Sequence, residues 1–117
     1  MYDIKVDEAK NRLYIKLGAI DTGDGQKIYN EIQQGVKKLN KGFSAVSDIR
    51  EFTFSDPGEG DWAEKIIHHL AESGMAVVAR VTGNTASSME RVEPVYGYRI
   101  IMVDEFNAAD GALDRCR

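Results

Sequence analysis

A mixed, mainly parallel α/β sheet with a leading β-hairpin and covering helices is the fold class that this sequence predicts. Three observations lead there. Two runs of alternating apolar and polar residues open the chain. Short apolar runs then alternate with stretches of helical period. Strands that alternate with helices need crossover connections, which bring parallel pairing and right-handed crossovers. The expected order is β-β-α-β-α-β-(α)-β-α, in a single domain over residues 1–117.

Each element has a local reason. Tyr2, Ile4 and Val6 alternate with Asp3, Lys5 and Asp7, the pattern of a strand with one wet face. Leu13, Ile15 and Leu17 repeat it after the polar turn "DEAKN", so the two runs form a hairpin, and Gly18 ends the second strand. Asp21 or Thr22 is placed to cap a helix whose apolar face is Ile28, Ile32, Val36 and Leu39, with Gly42 as its closing glycine. "FSAVSDI", residues 43–49, reads as an inner strand whose small side chains admit close covering helices.

Beyond "REFTFSDPGEGDW", residues 50–62, Trp62, Ile66, Ile67 and Leu70 line one face of a second helix, which Gly74 stops. "MAVVARV", residues 75–81, is apolar on both faces up to Arg80, as a buried parallel strand requires. In residues 83–95, Ser87 or Ser88 ahead of Glu90 and Arg91 predicts a short helix that Pro94 terminates. "YGYRIIMV", residues 96–103, is a further strand. Phe106, Ala109 and Leu113 share one face of a final helix that Asp104 can cap.

Composition narrows the function classes. A length of 117 residues suits one domain of about 100 to 150, and 43% hydrophobic content supplies a conventional core. The single cysteine, Cys116, forms no intramolecular disulfide and fits a reducing compartment. No signal-peptide pattern is visible, and no apolar run nears the roughly 20 residues of a membrane helix. A cytoplasmic location without a membrane span is therefore expected.

The net charge of -4, with no basic patch beyond Lys37, Lys38 and Lys41, argues against nucleic acid as a partner. No G-x-S-x-G elbow, phosphate loop or H-E-x-x-H motif occurs. His68 and His69 are adjacent, so on a helix they point about 100° apart and do not share a metal ion. No enzyme, cofactor or metal is expected.

Four segments carry a family likeness: "NRLYIKLGAID", "GFSAVSDIREFTF", "LAESGMAVVARVTG" and "DEFNAADGALDRC". In this order, and over nearly the whole chain, they resemble the STAS family, the domain of anti-sigma-factor antagonists and of sulfate-transporter tails. The variant called SpoIIAA-like, sometimes grouped with lipid-carrying SEC14-type proteins, fits best. The resemblance implies a STAS-like fold and a non-enzymatic regulator that binds another protein, of kinase or anti-sigma-like type. It also implies an alternative, a carrier of a small apolar or lipid-like ligand. An enzyme of unknown class is the second alternative. STAS domains that switch carry a phosphorylated serine in an Asp-Ser-Ser-Gly-like turn after the central strand. The matching place here reads Phe54-Ser55-Asp56-Pro57-Gly58, with the aspartate after the serine and a proline next.

Three residue sets follow. Ser55, Asp56, Glu59 and Asp61 form an acidic elbow for phosphorylation or partner docking, or else Ser55 or Asp56 is a helix cap or turn residue with Pro57 near the first turn. Asp48, Arg50, Arg80 and Asn84, with Thr82 nearby, stand at strand ends where α/β sheets bind ligands, and they form an anion crevice or structural ion pairs. Trp62, Ile66, Met75 and Met102, with Met89, line an apolar pocket or simply fill the core. The hairpin's free edge also allows a homo-oligomer.

Overall fold

A computed structural model of the chain describes residues 2–54, 60–82, 90–92 and 95–115. β1 (Tyr2–Asp7) and β2 (Arg12–Leu17) form the hairpin, in antiparallel register from Tyr2 opposite Leu17 to Asp7 opposite Arg12. There follow β3 (Ala19–Ile20), α1 (Asp24–Val36), β4 (Ser44–Asp48), β5 (Thr53–Phe54) and α2 (Gly60–Glu72). β6 (Val77–Val81), β7 (Glu90–Val92), β8 (Arg99–Val103) and α3 (Phe106–Arg115) complete the order. The main sheet is six-stranded, in the order β1-β2-β4-β6-β8-β7. Its four inner strands are parallel and its two edge strands antiparallel. β3 and β5 pair in parallel as a small separate sheet.

Inner strands buried on both faces need a cover on each. α1 and α2 supply one, packing Ile28, Ile32 and Leu70 against Leu13, Ile15, Ala45, Val78 and Ile100. α3 supplies the other, packing Ala109, Ala112 and Leu113 against Val46, Val77, Ala79, Val81 and Ile101. Ala45 and Val46 are fully buried neighbours on β4 that face opposite cores, the period-two consequence of its central position. Each fully buried aliphatic side chain contributes about 1.5–3 kcal/mol.

Several local expectations are corrected. The residue ahead of α1 is Gly23, left-handed at φ 91°, with no side-chain cap from Asp21 or Thr22. Asp24 Oδ2 instead accepts the Asp21 N–H at 2.9 Å, which closes the turn from inside the helix. α1 ends at Val36, and Gly42, at φ 88°, serves the turn into β4, where its N–H donates to the Gly74 carbonyl at 2.8 Å. Gly74, at φ 98°, follows α2 as the sequence predicts.

Where the sequence predicts a short helix, the described residues 90–92 form β7 instead, with Arg91 and Val92 opposite Ile100 and Arg99. Valine favours strands, and the outer edge of β8 offers a ladder to join. Ser87, Ser88 and Met89 lie outside the described residues. Among the described residues no helix is long and apolar enough to cross a membrane.

α1 and α2 approach closely where Trp62 lies on Gly25. A Cβ on Gly25 would sit 2.3 Å from Trp62 Cδ1 and 2.5 Å from its Cγ, so no larger residue fits without moving the indole. Tyr29 packs beside it, with ring centroids 5.6 Å from Trp62 and 5.8 Å from His69. Trp62 is the chain's one tryptophan and reports on this contact. Gly25→Ala is expected to shift its fluorescence to the red. The overpacking should cost about 1–3 kcal/mol of stability in urea, less about 1 kcal/mol gained from helix propensity. Unchanged emission and an unchanged midpoint would show that the indole has room to move.

Candidate functional site

On the α3 face of the hairpin, Arg12 and Tyr14 occupy the positions that alternate with Leu13 and Ile15, where the alternation alone reads as wet. α3 covers them. The Arg12 side chain is 1% exposed. Its Nε donates to Ser44 Oγ at 2.9 Å, and its terminal nitrogens donate to Asp110 Oδ1 and, at 3.0 Å, to Asp114 Oδ1. The two carboxylates lie four residues apart, hence on one side of α3. The Tyr14 hydroxyl donates to the same Asp110 oxygen at 2.7 Å. Burial, then the Asp110 hydrogen bond, pushes the Tyr14 hydroxyl up to about 12. Burial also pushes the Asp110 carboxyl up, but hydrogen bonds from Tyr14 and Arg12 outweigh it and hold the group below the usual carboxylate range.

Beyond this anchor a cleft of about 510 Å³ opens between hairpin and α3, lined among others by Lys5, Tyr14, Lys16, Asp48, Arg50 and Phe106. Asp48, 3% exposed, ends β4 and takes both ends of the Arg50 guanidinium, at 3.0 Å from Nε and 2.8 Å from a terminal nitrogen. The Arg50 side-chain hydrogen bonds hold the Asp48 carboxyl below the usual range. Arg50 is thereby neutralised, which leaves it a weak anion receptor.

The expected four-residue crevice does not assemble. In the parallel register Ser47 stands opposite Arg80, and Asp48 opposite Val81. Side chains alternate along a strand, so Asp48 and Arg80 emerge on opposite faces of the sheet. Arg80 instead lines a cavity of about 250 Å³ between the sheet and helices α1 and α2. Thr82 sits beside β8, its N–H donating to the Val103 carbonyl at 3.0 Å. Asn84 lies outside the described residues.

Of the apolar set, Ile66 and Met75 are in the wall of the 250 Å³ cavity. Trp62 packs on Gly25 and Tyr29 instead. Met102 flanks the same core as a half-buried side chain. Of the elbow set, Asp61 stands exposed in the first turn of α2, where a carboxylate suits the helix dipole. Ser55, Asp56 and Glu59 lie outside the described residues. His68 pairs with Glu72 at 3.0 Å and meets the Tyr96 hydroxyl at 3.1 Å. Among the described residues no three His, Cys, Asp or Glu side chains come together to hold a metal ion.

The anchor generates a stability prediction with a definite sign. Tyr14 is raised from an ordinary value of about 10, so its contribution is complete below pH 10 and disappears as pH rises from 10 to about 12. Asp48 and Asp110 are lowered, so their contributions are present above about pH 4 and are lost as pH falls further. Urea titrations across pH are expected to show Tyr14→Phe flattening the alkaline limb and Asp110→Asn flattening part of the acid limb. Limbs identical to wild type would contradict the assignment. Arg12→Ala should lose about 3 kcal/mol at pH 7, the low end for a broken buried pair, because Asp110 and Asp114 are 33% and 51% exposed and stay partly hydrated.

No protein-family model matches the chain, and no curated protein matches it. Solved structures do. The anti-sigma factor antagonist SpoIIAA in its unphosphorylated form superposes with a TM-score of 0.59 at 15% identity, over 100% of this chain and 98% of that one. The phosphorylated form of SpoIIAA, a Bacillus cell fate determinant, gives 0.58 at 13% identity, over the whole of both chains. The likeness read from four sequence segments is thus met in three dimensions: from end to end, this chain has the STAS-like fold of SpoIIAA.

Proposed function

We propose that this chain is a non-enzymatic regulatory domain that acts in the cytoplasm by binding another protein of kinase or anti-sigma type. The observation that carries this reading is the full-length fold likeness to a protein described as an anti-sigma factor antagonist. The docking surface is the acidic elbow from Ser55 to Asp61, together with the exposed side chains Asp61, Glu64 and Lys65 at the start of α2. Asp56, Glu59 and Asp61 already supply negative charge there. A phosphate on Ser55 would add roughly -1.5 to -2 more beside them, so the elbow works as a surface without that modification.

A second reading, a carrier of a small apolar ligand, is favoured by the apolar cavity beneath α1 and α2. It does not exclude the first, since a bound ligand and a bound protein would occupy different places.

Affinity capture from the native cell distinguishes these roles. Wild type is expected to retain a protein that the Asp56→Arg/Asp61→Arg double variant releases, and identical capture by both would sink the elbow as a docking surface. The intact mass of the endogenous protein is expected to show no phosphate. A modified peptide over residues 50–65 would overturn that part of the reading.

A further inference from the structure

The cavity beneath α1 and α2 holds one charge that the described protein does not answer. Its wall is apolar except for Ser47, Arg80 and Tyr98, and among the described residues Arg80 is its one charged member. Ser47 and Arg80 are register partners on β4 and β6, with Ile15 and Met102 next in the same row. Asp48, the neighbouring carboxylate, faces the opposite side of the sheet and is engaged by Arg50. The Arg80 side chain has no hydrogen bond or ion pair among the described residues. A half-buried guanidinium in an apolar wall bears a desolvation cost that an anion with matching acceptors would offset.

The cavity also has a closed end and an open one. Ile28, Ile32, Leu70, Met75 and Val78 are buried, whereas Ser47, Ile49, Phe52, Ile66 and Arg80 are half-buried. The half-buried members gather at the carboxyl ends of β4 and β6 and on α2, the end where open α/β sheets take ligands. Arg80 therefore stands at the mouth, with apolar wall behind it. The volume of about 250 Å³ lies below the roughly 300–1,000 Å³ of drug-sized ligand pockets, so a short chain fits it better than a long one.

We propose that this cavity binds a short-chain aliphatic monocarboxylate, for which octanoate is the probe. Its tail lies against Ile15, Leu70 and Met75, and its carboxylate is held by Arg80 with the Ser47 hydroxyl beside it. A planar carboxylate matches the guanidinium fork, and its single charge equals that of the one arginine. A phosphate monoester would bring roughly -1.5 to -2 charges to the same single cation, in a chain of net charge -4. The proposal rests on the carrier reading and adds the headgroup and the length.

Calorimetric titration of the full chain with octanoate, octanol and octyl phosphate tests it, each ligand being kept below its aggregation concentration. Octanoate is expected to bind about tenfold or more tightly than octanol, as a charge-assisted hydrogen bond in a half-buried site allows. Arg80→Met should abolish that preference while leaving octanol binding in place. Arg80→Gln provides the same comparison if circular dichroism shows the methionine variant unfolded. Octanol binding as tightly as octanoate to wild type would overturn the headgroup and leave the carrier reading standing. Octyl phosphate binding more tightly than octanoate would overturn the carboxylate in favour of a phosphate ligand. A preference that survives in the Arg80 variants would overturn the role of Arg80. Binding of none of the three would overturn both the proposal and the carrier reading.

Discussion

The Arg12 guanidinium under α3 gives its donors to Ser44, Asp110 and Asp114, and that contact ties the hairpin, the central strand and the last helix into one arrangement. A buried ion pair is poor evidence of net stability, because apolar residues of the same volume often do as well. Its consequence here is positional. One rotation of α3 presents Asp110 and Asp114 together to Arg12 and also turns Ala109, Ala112 and Leu113 into the sheet. With that helix fixed, the α3 side of the inner strands is closed, and α1 and α2 have the other side.

The two sides of the sheet then differ in chemistry. On the α3 side, charges are answered locally, Arg12 by two aspartates and Arg50 by Asp48. On the α1 and α2 side, Arg80 enters an apolar wall with no carboxylate partner among the described residues. The close Gly25–Trp62 contact sets how near α1 and α2 lie, and so shapes the roof of that wall. The docking reading and the ligand reading meet on α2, since Asp61 opens the helix and Ile66, Ile67 and Leu70 face the cavity.

Much of this was legible in the residues. The hairpin, the inner strands and the apolar faces of all three long helices follow from periodicity, because a strand or helix that buries one face must repeat that choice along its length. The site was legible only in pieces. Of the residues that the family resemblance implies for an apolar pocket, Ile66 and Met75 stand in the cavity wall, whereas Trp62 packs on Gly25. Arg12 gives no local sign of burial, since an arginine between Asn11 and Leu13 at the start of an alternating run reads as solvent-facing. The useful signal was distant: Asp110 and Asp114, four apart on the last helix, offer two carboxylates on one side. β3, β5 and β7 have two or three residues each, too few for a period to declare itself.

By itself, then, the sequence determined the order of the long strands and helices, the face of each that is apolar, and a STAS-like plan. Tertiary structure alone decided that the hairpin's second face is covered, that Asp48 meets Arg50, and that Arg80 points away from both. The reason is geometric. Alternation assigns a side chain to one of two faces, but what covers each face is set by crossovers that join residues far apart in the chain. The 98 positions from Arg12 to Asp110 and the single register step between Asp48 and Arg80 are invisible to any local pattern.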